Sequence, residues 1–336
     1  MTDLHAFLAD PAFLHVLHMP GLELPQTRAQ IAGIGLRPLR WVEWLVLEHT
    51  ATAEALKAEF EHGRHSFAVV ERTDFTGDDA QAEAMGADDL AALQRVVSAL
   101  RLVKSGDLLD PAGSVRYERR GSLNRRYVGH FGRQLFEPEH ARTYVLGKAD
   151  VVAAEVIAAD LAHPQVAADR TIRLAIRHFD ASYDHTLEAR DRLLHLFTSL
   201  EATFGEYKKQ ARPVTGASLG QSAAALCPSA TRAATTNFLD DKAQARGLRN
   251  AVAHGDLDDR DPAQLDAAVE RLRSVLRVGL RGLVRFAARR HGSTVTLDSI
   301  SAGLGALPPK AAFQHVLGHA AKGSIAARDL LAALSA

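Results

Sequence analysis

Cysteine is almost absent from this chain: Cys227 is the single one in 336 residues. One thiol builds neither an internal disulfide framework nor a zinc knuckle, and this usage fits a reducing cytoplasm. Net charge is absent as well. The 40 Lys and Arg balance 40 Asp and Glu, so no global field draws the protein to nucleic acid, and any such contact must use a local patch. Long apolar runs are missing: Arg, Asp or His interrupts every stretch short of the roughly 18 residues of a membrane span. The first residues, Met1-Thr2-Asp3-Leu4-His5, place an acid ahead of any apolar run, unlike a signal peptide. The 16 histidines form no His-Glu-x-x-His motif and no Cys/His ligand spacing, so no metal and no cofactor is expected. Gly33-x-Gly35 and the loop from Gly216 to Gly220 lack the Lys-Ser/Thr of a P-loop, and no Gly-x-Ser-x-Gly elbow occurs.

What is present is an ordinary globular composition, 47% hydrophobic and 24% charged, long enough for two domains with a sizeable core. Residues 1–35 are mixed, broken by Pro20, Gly21, Pro25, Gly33 and Gly35. Arg40 to Leu47 and Ser66 to Glu71 read as strands, with a short helix over Ala53 to Phe60. Thr76 to Gly86 is acidic and loop-like, and Asp88 to Val103 is an amphipathic helix. Residues 114–148 alternate like strands or hairpins. From Asp150 the pattern turns helical: Val151 to Leu161, Arg170 to Phe179, Leu187 to Phe204 with Gly205 as a stop, Gly216 to Leu226, Thr231 to Phe238, and Asp241 to Ala253. Asp261 caps Pro262 at the head of a long helix to about Arg290. The expected fold is therefore α+β overall. Residues 1–150 form a mixed α/β N-terminal region, 151–290 an all-α antiparallel helical bundle, and 291–336 a small helical C-terminal appendage.

One short element carries chemistry. Leu248-Arg249-Asn250-Ala251-Val252-Ala253-His254-Gly255 sets an always-charged guanidinium and a group titrating near neutrality five positions apart. His254 is suited to take a proton from a ribose 2′-hydroxyl or give one to a 5′-oxygen leaving group. Arg249 is suited to bind the phosphate and stabilise charge in the transition state. Helical phase sets a condition: residues five apart lie about 140° apart around one helix. Both face one phosphate only if the helix ends between them, which Gly255 permits nearby, or if a second protomer contributes. A plainer reading stays open. His254-Gly255 ends a helix in the ordinary way, with Arg249 as a surface ion-pair partner of Asp256 or Asp258.

Two segments together resemble the HEPN superfamily, and within it the Apea-like HEPN proteins: Leu193 to Gly205 (LLHLFTSLEATFG) and Leu248 to Gly255 (LRNAVAHG). A fainter likeness is Ala99-Leu100-Arg101-Leu102 followed by Gly106. The resemblance covers about residues 165–290. It implies a helical bundle that dimerises, with two copies of the Arg/His element lining one cleft. It also implies a metal-independent endoribonuclease leaving 2′,3′-cyclic phosphate and 5′-hydroxyl ends. Carried over, Arg249 and His254 are the matched catalytic pair, Asn250 the polar neighbour, and Glu201 a polar position on the preceding core helix. The family context implies a toxin–antitoxin or anti-phage role, with an antitoxin or a phage-derived trigger as partner and the N-terminal region sensing it. The alternative is a non-catalytic HEPN-fold module that dimerises or binds RNA or nucleotide; a helical structural protein with a fortuitous motif is the third reading.

RNA contact has further candidates in Arg246 and in the run Arg116 to Arg133, where Arg119, Arg120, Arg125 and Arg126 interleave with Tyr117 and Tyr127. Six Arg against one Glu make that run locally +5. Phosphate contact with base stacking is one reading. A solvated hairpin with its aromatics beneath is the simpler one.

Overall fold

A computed structural model describes residues 12–19, 22–24, 28–38, 66–72, 78–106, 108, 113–120, 123–130, 144–184, 186–205, 218–254, 261–290 and 297–335. The strand expected at 40–47 and the helix at 53–60 lie outside them. The chain is α+β, mostly helical with an N-terminal antiparallel sheet, and divides into two compact units, Met1–Ala158 and Ala159–Ala336.

The first unit is built on six strands: β1 Ala12–Met19, β3 Ala29–Ile31, β4 Ile34–Arg37, β5 Ser66–Arg72, β6 Gly113–Arg120 and β7 Leu123–His130. Their order is β3-β4-β5-β1-β6-β7, every pairing antiparallel. Two further short strands, β2 Leu22–Glu23 and β8 Tyr144–Val145, pair in parallel. In β1, Leu14, His15, Val16, Leu17 and Met19 are all buried, as a strand covered on both faces requires. The strand ends ahead of Pro20 and Gly21, and the elements that follow in residues 22–37 are short. Gly33 does not interrupt; it turns a hairpin. Ala32 (φ 51°) and Gly33 (φ 80°) supply the two positive φ values of a two-residue loop between β3 and β4. The Ala32 N–H donates to Glu155 Oε2 at 2.6 Å, which ties down the strained alanine.

Helix α1 spans Asp79–Val103 and packs on β1 and β4. The acidic segment read as loop to Gly86 is its first two turns. Asp78 caps it by accepting from the Ala80 N–H at 3.0 Å, Asp79 favours the positive end, and Ala82 and Met85 are buried. The division between units falls inside α2 (Lys148–Ala162).

The second unit is helical: α3 Pro164–Ala168, α4 Arg170–Ala181, α5 Ala189–Phe204, α6 Leu219–Ala224, α7 Ser229–Asp240, α8 Ala245–His254, α9 Pro262–Arg289, α10 Leu297–Ile300, α11 Pro309–Ala321 and α12 Ile325–Ser335. Caps begin several of them. Asp169 accepts from the N–H groups of Thr171 and Ile172, and Asp261 from that of Ala263 with Pro262 in the first turn. The expected stripe of α9, Leu265, Val269, Leu272, Leu276, Leu280, Leu283 and Phe286, is buried throughout. The α4 face holds for Ile172, Ala175 and Phe179; Ile176 is half-buried. On α5, Leu193, Leu196, Phe197, Leu200 and Phe204 are buried, but Leu194 is exposed. At about 100° per residue it stands off the stripe its neighbours define. Gly205 ends α5, as expected of a stop, in an extended conformation (φ −65°, ψ 152°). A Cβ there would crowd the Glu201 carbonyl. The last helices, expected as an appendage, belong to the same compact unit, with α11 against α6 and α9, and α12 against α9.

Candidate functional site

Helix α8 carries the Arg/His element, and its two faces are cleanly divided. Ala245, Leu248, Ala251 and Val252 are buried where α8 packs on α5 and α7, while Arg246, Arg249, Asn250, Ala253 and His254 are exposed. Apolar residues at the 3.6-residue period drive the docking and leave the polar group outward. At about 100° per residue, Arg249 and His254 stand on opposite flanks of the exposed face, with Arg246 near its middle and Asn250 between Arg246 and His254. The helix runs unbroken through His254, so it does not end between Arg249 and His254. Within one chain the two do not converge on a single point.

What the fold does bring together is Arg249 and Glu201, across α8 and α5, with Arg249 Nη1 2.6 Å from Glu201 Oε1. The side chains are 53% and 42% exposed, so the pair orients more than it stabilises; exposed pairs contribute about 0–1 kcal/mol. It occupies one guanidinium nitrogen and leaves other N–H donors for an incoming anion. The ion-pair partners suggested by spacing, Asp256 and Asp258, lie outside the described residues.

Beside this pair a cleft of about 290 Å³ opens between α5, α8 and the facing ends of α6 and α7. Phe197, Leu200, Leu219 and Leu239 line it with Ser218, Asp240, Arg246 and Arg249. Asp240, the last residue of α7, is held from two sides: the Ser218 hydroxyl donates to Oδ2, and the Gly220 N–H donates to Oδ1 at 3.0 Å. Ser218 also caps α6 in a reciprocal box with Gln221. Ser218 and Asp240 were not visible as site residues in sequence. The signal available was only Ser-x-x-Gln ahead of a helix, which points to a cap and not to a cleft.

Lys310 of α11 is a second residue that spacing did not reveal. Its ammonium is buried against the C-terminal end of α5, donating to the Thr203 carbonyl and, at 3.4 Å, to that of Gly205. Burial pulls its pKa down from the ordinary lysine range to about 7, opposed by the charges of Asp169 and Glu201. It thus bonds to the turn that carries Glu201. Elsewhere on α5, His195 meets His178 of α4 with their Nδ1 atoms 2.8 Å apart. Burial first, then the charges of His195 and Arg177, hold the His178 pKa below its usual value.

The basic run forms the β6–β7 hairpin, with Arg116 opposite Tyr127, Tyr117 opposite Arg126, and Glu118 opposite Arg125. The side chains of Arg119, Arg120, Arg125 and Arg126 lie outside the described portion, and these residues belong to the first unit, not to that of Arg249. Among the described residues no three His, Cys, Asp or Glu side chains are grouped as metal ligands, and no helix is long and apolar enough to cross a membrane. No family model, curated protein or solved structure matches this chain.

Proposed function

We propose that this protein is a metal-independent endoribonuclease of the HEPN type, acting as a homodimer. The observation that carries the reading is the division of α8. All three polar residues of the element, Arg249, Asn250 and His254, stand on its exposed face, and Arg249 is oriented by Glu201. A second copy related by a two-fold axis sets the His254 flank of one protomer against the Arg249 flank of the other, which removes the 140° problem. His254 then takes the 2′-hydroxyl proton or protonates the departing 5′-oxygen. Arg249 neutralises the phosphorane-like charge while O2′ attacks phosphorus and the P–O5′ bond breaks. The N-terminal unit would sense an antitoxin or phage-derived trigger in a defence role, as the family resemblance implies.

One observation favours a second reading, a non-catalytic RNA- or nucleotide-binding module. In a single chain Arg249 is engaged by Glu201 and shares no flank with His254. The test is total RNA incubated in EDTA with wild type, Arg249→Ala and His254→Ala. Cleavage by wild type alone supports the ribonuclease; RNA binding without cleavage supports the module. Mixing the two inactive variants sharpens the result. A composite site is restored in heterodimers only, so random exchange returns about a quarter of wild-type activity; no recovery refutes the shared site.

A further inference from the structure

The cleft beside Arg249 has three kinds of surface in one small space. Its floor is apolar, from Phe197, Leu200 and Leu239; its carboxylate is Asp240; and its cations are Arg246 and Arg249. Its size lies at the lower edge of small-molecule pockets, roughly 300–1,000 Å³, which suits one nucleotide and is too small for a peptide segment. Arg246 is exposed and has no ion-pair partner among the described residues, so its guanidinium is available to an anion. The floor offers a flat base an apolar face.

The carboxylate decides which base. Each Asp240 oxygen already accepts one hydrogen bond, Oδ2 from Ser218 and Oδ1 from Gly220, and each keeps one acceptor site. These bonds fix the carboxylate plane. A fixed carboxylate with one free site per oxygen is matched by two parallel N–H donors. Among the RNA bases only guanine presents such a pair on its Watson–Crick edge, N1–H and the 2-amino group. Adenine, cytosine and uracil offer one donor there beside an acceptor that the carboxylate repels. We infer that the cleft is a guanine-nucleotide subsite, with the base on the apolar floor, its donor edge on Asp240 and its phosphate on Arg246 and Arg249. In the ribonuclease reading, on which the placing within an RNA strand rests, Arg249 joins this subsite to the scissile phosphate, and cuts fall next to guanine.

The test is calorimetric titration of the full chain with 3′-GMP, 3′-AMP, 3′-CMP, 3′-UMP, 3′-IMP and guanosine. The expected result is 3′-GMP bound roughly tenfold or more tightly than the other nucleotides, the discrimination of one good bidentate pair. The inosine nucleotide, which lacks the 2-amino group, loses that advantage without any change to the protein. Asp240→Asn, which still accepts from Gly220, abolishes the preference. Arg246→Ala weakens 3′-GMP but leaves guanosine unchanged. Equal affinity for all nucleotides, no binding, or an inosine nucleotide bound as tightly as 3′-GMP overturns the subsite. The two readings fail separately. RNA cleavage in EDTA without guanine preference sinks the subsite alone, and guanine-selective binding without cleavage sinks the ribonuclease alone.

Discussion

Lys310 gives the sharpest quantitative prediction. Its ammonium is buried at the end of α5, and burial lowers its pKa from 10.5 to about 7. The sign follows from proton counting. Between about pH 7 and 10.5 the unfolded chain holds a proton on this lysine that the folded chain lacks, so stability rises with pH across that window. Below pH 7 both states are protonated and the contribution is flat at its least favourable level. The drop in pKa corresponds to ~5 kcal/mol over the full window, at about 1.4 kcal/mol for each pH step. The perturbation is Lys310→Met, which keeps the buried stem but removes the titration. It leaves the Thr203 and Gly205 carbonyls without this donor, a loss that does not vary with pH. Urea denaturation of both proteins at pH 7, 8, 9 and 10 gives the stability difference, in which all other titrating groups cancel. The difference should shift in favour of wild type at each step, reaching several kcal/mol by pH 10. A difference that stays flat from pH 7 to 10 refutes the reasoning, since the ammonium would then be charged in the folded state throughout. The contacts to Thr203 and Gly205 would in that case stabilise charge more than burial removes it.

Three further outcomes follow from the packing. A methyl group at Gly279 of α9 would enter the Phe204 ring, so Gly279→Ala should lower stability by about 1–3 kcal/mol in the same assay, and a neutral result would mean the ring has room to move. The His178 pKa is lowered by burial, His195 and Arg177, so the unfolded state takes up a proton first as pH falls through about 6.5, and stability drops with acid. His178→Phe should flatten that acid branch in thermal melts between pH 7 and 5; an unchanged slope assigns it elsewhere. Glu201→Gln removes an exposed ion pair, so it should cost less than about 1 kcal/mol of stability, while Arg249 loses its orienting partner. RNA cleavage by that variant should therefore fall far more than its melting temperature; parallel loss of both would make Glu201 a folding residue only.

Much of this architecture is written in local pattern. The stripe of α9, the Asp261-Pro262 start and the buried face of α8 follow from period and cap chemistry, because each depends on residues within a few turns. The separation of Arg249 from His254 around α8 is also local, since helical phase alone requires it once the helix is unbroken. Even the helix hidden in an acidic stretch, Asp79 to Gly86, was signalled by Asp78 and by Ala82 and Met85, though its charge suggested a loop.

Other features depend on residues far apart in the chain, and only tertiary packing decided them. Nothing near Glu201 in sequence specifies Arg249 as its partner; the docking of α8 on α5 does. Nothing around Lys310 announces a buried ammonium; it is buried because α11 lies over the end of α5, where open carbonyls accept its protons. Leu194 reads as one more apolar residue, and it is exposed because the neighbours of α5 cover a stripe that it misses. Asp240 is a helix-terminal acid in sequence and a cleft wall in space, since Ser218 and Gly220, some twenty residues earlier, hold it there. Sequence determines which faces want to be buried and which side chains can do chemistry. The fold decides which of those side chains meet, because burial is shared among distant segments and each pairing depends on how they dock.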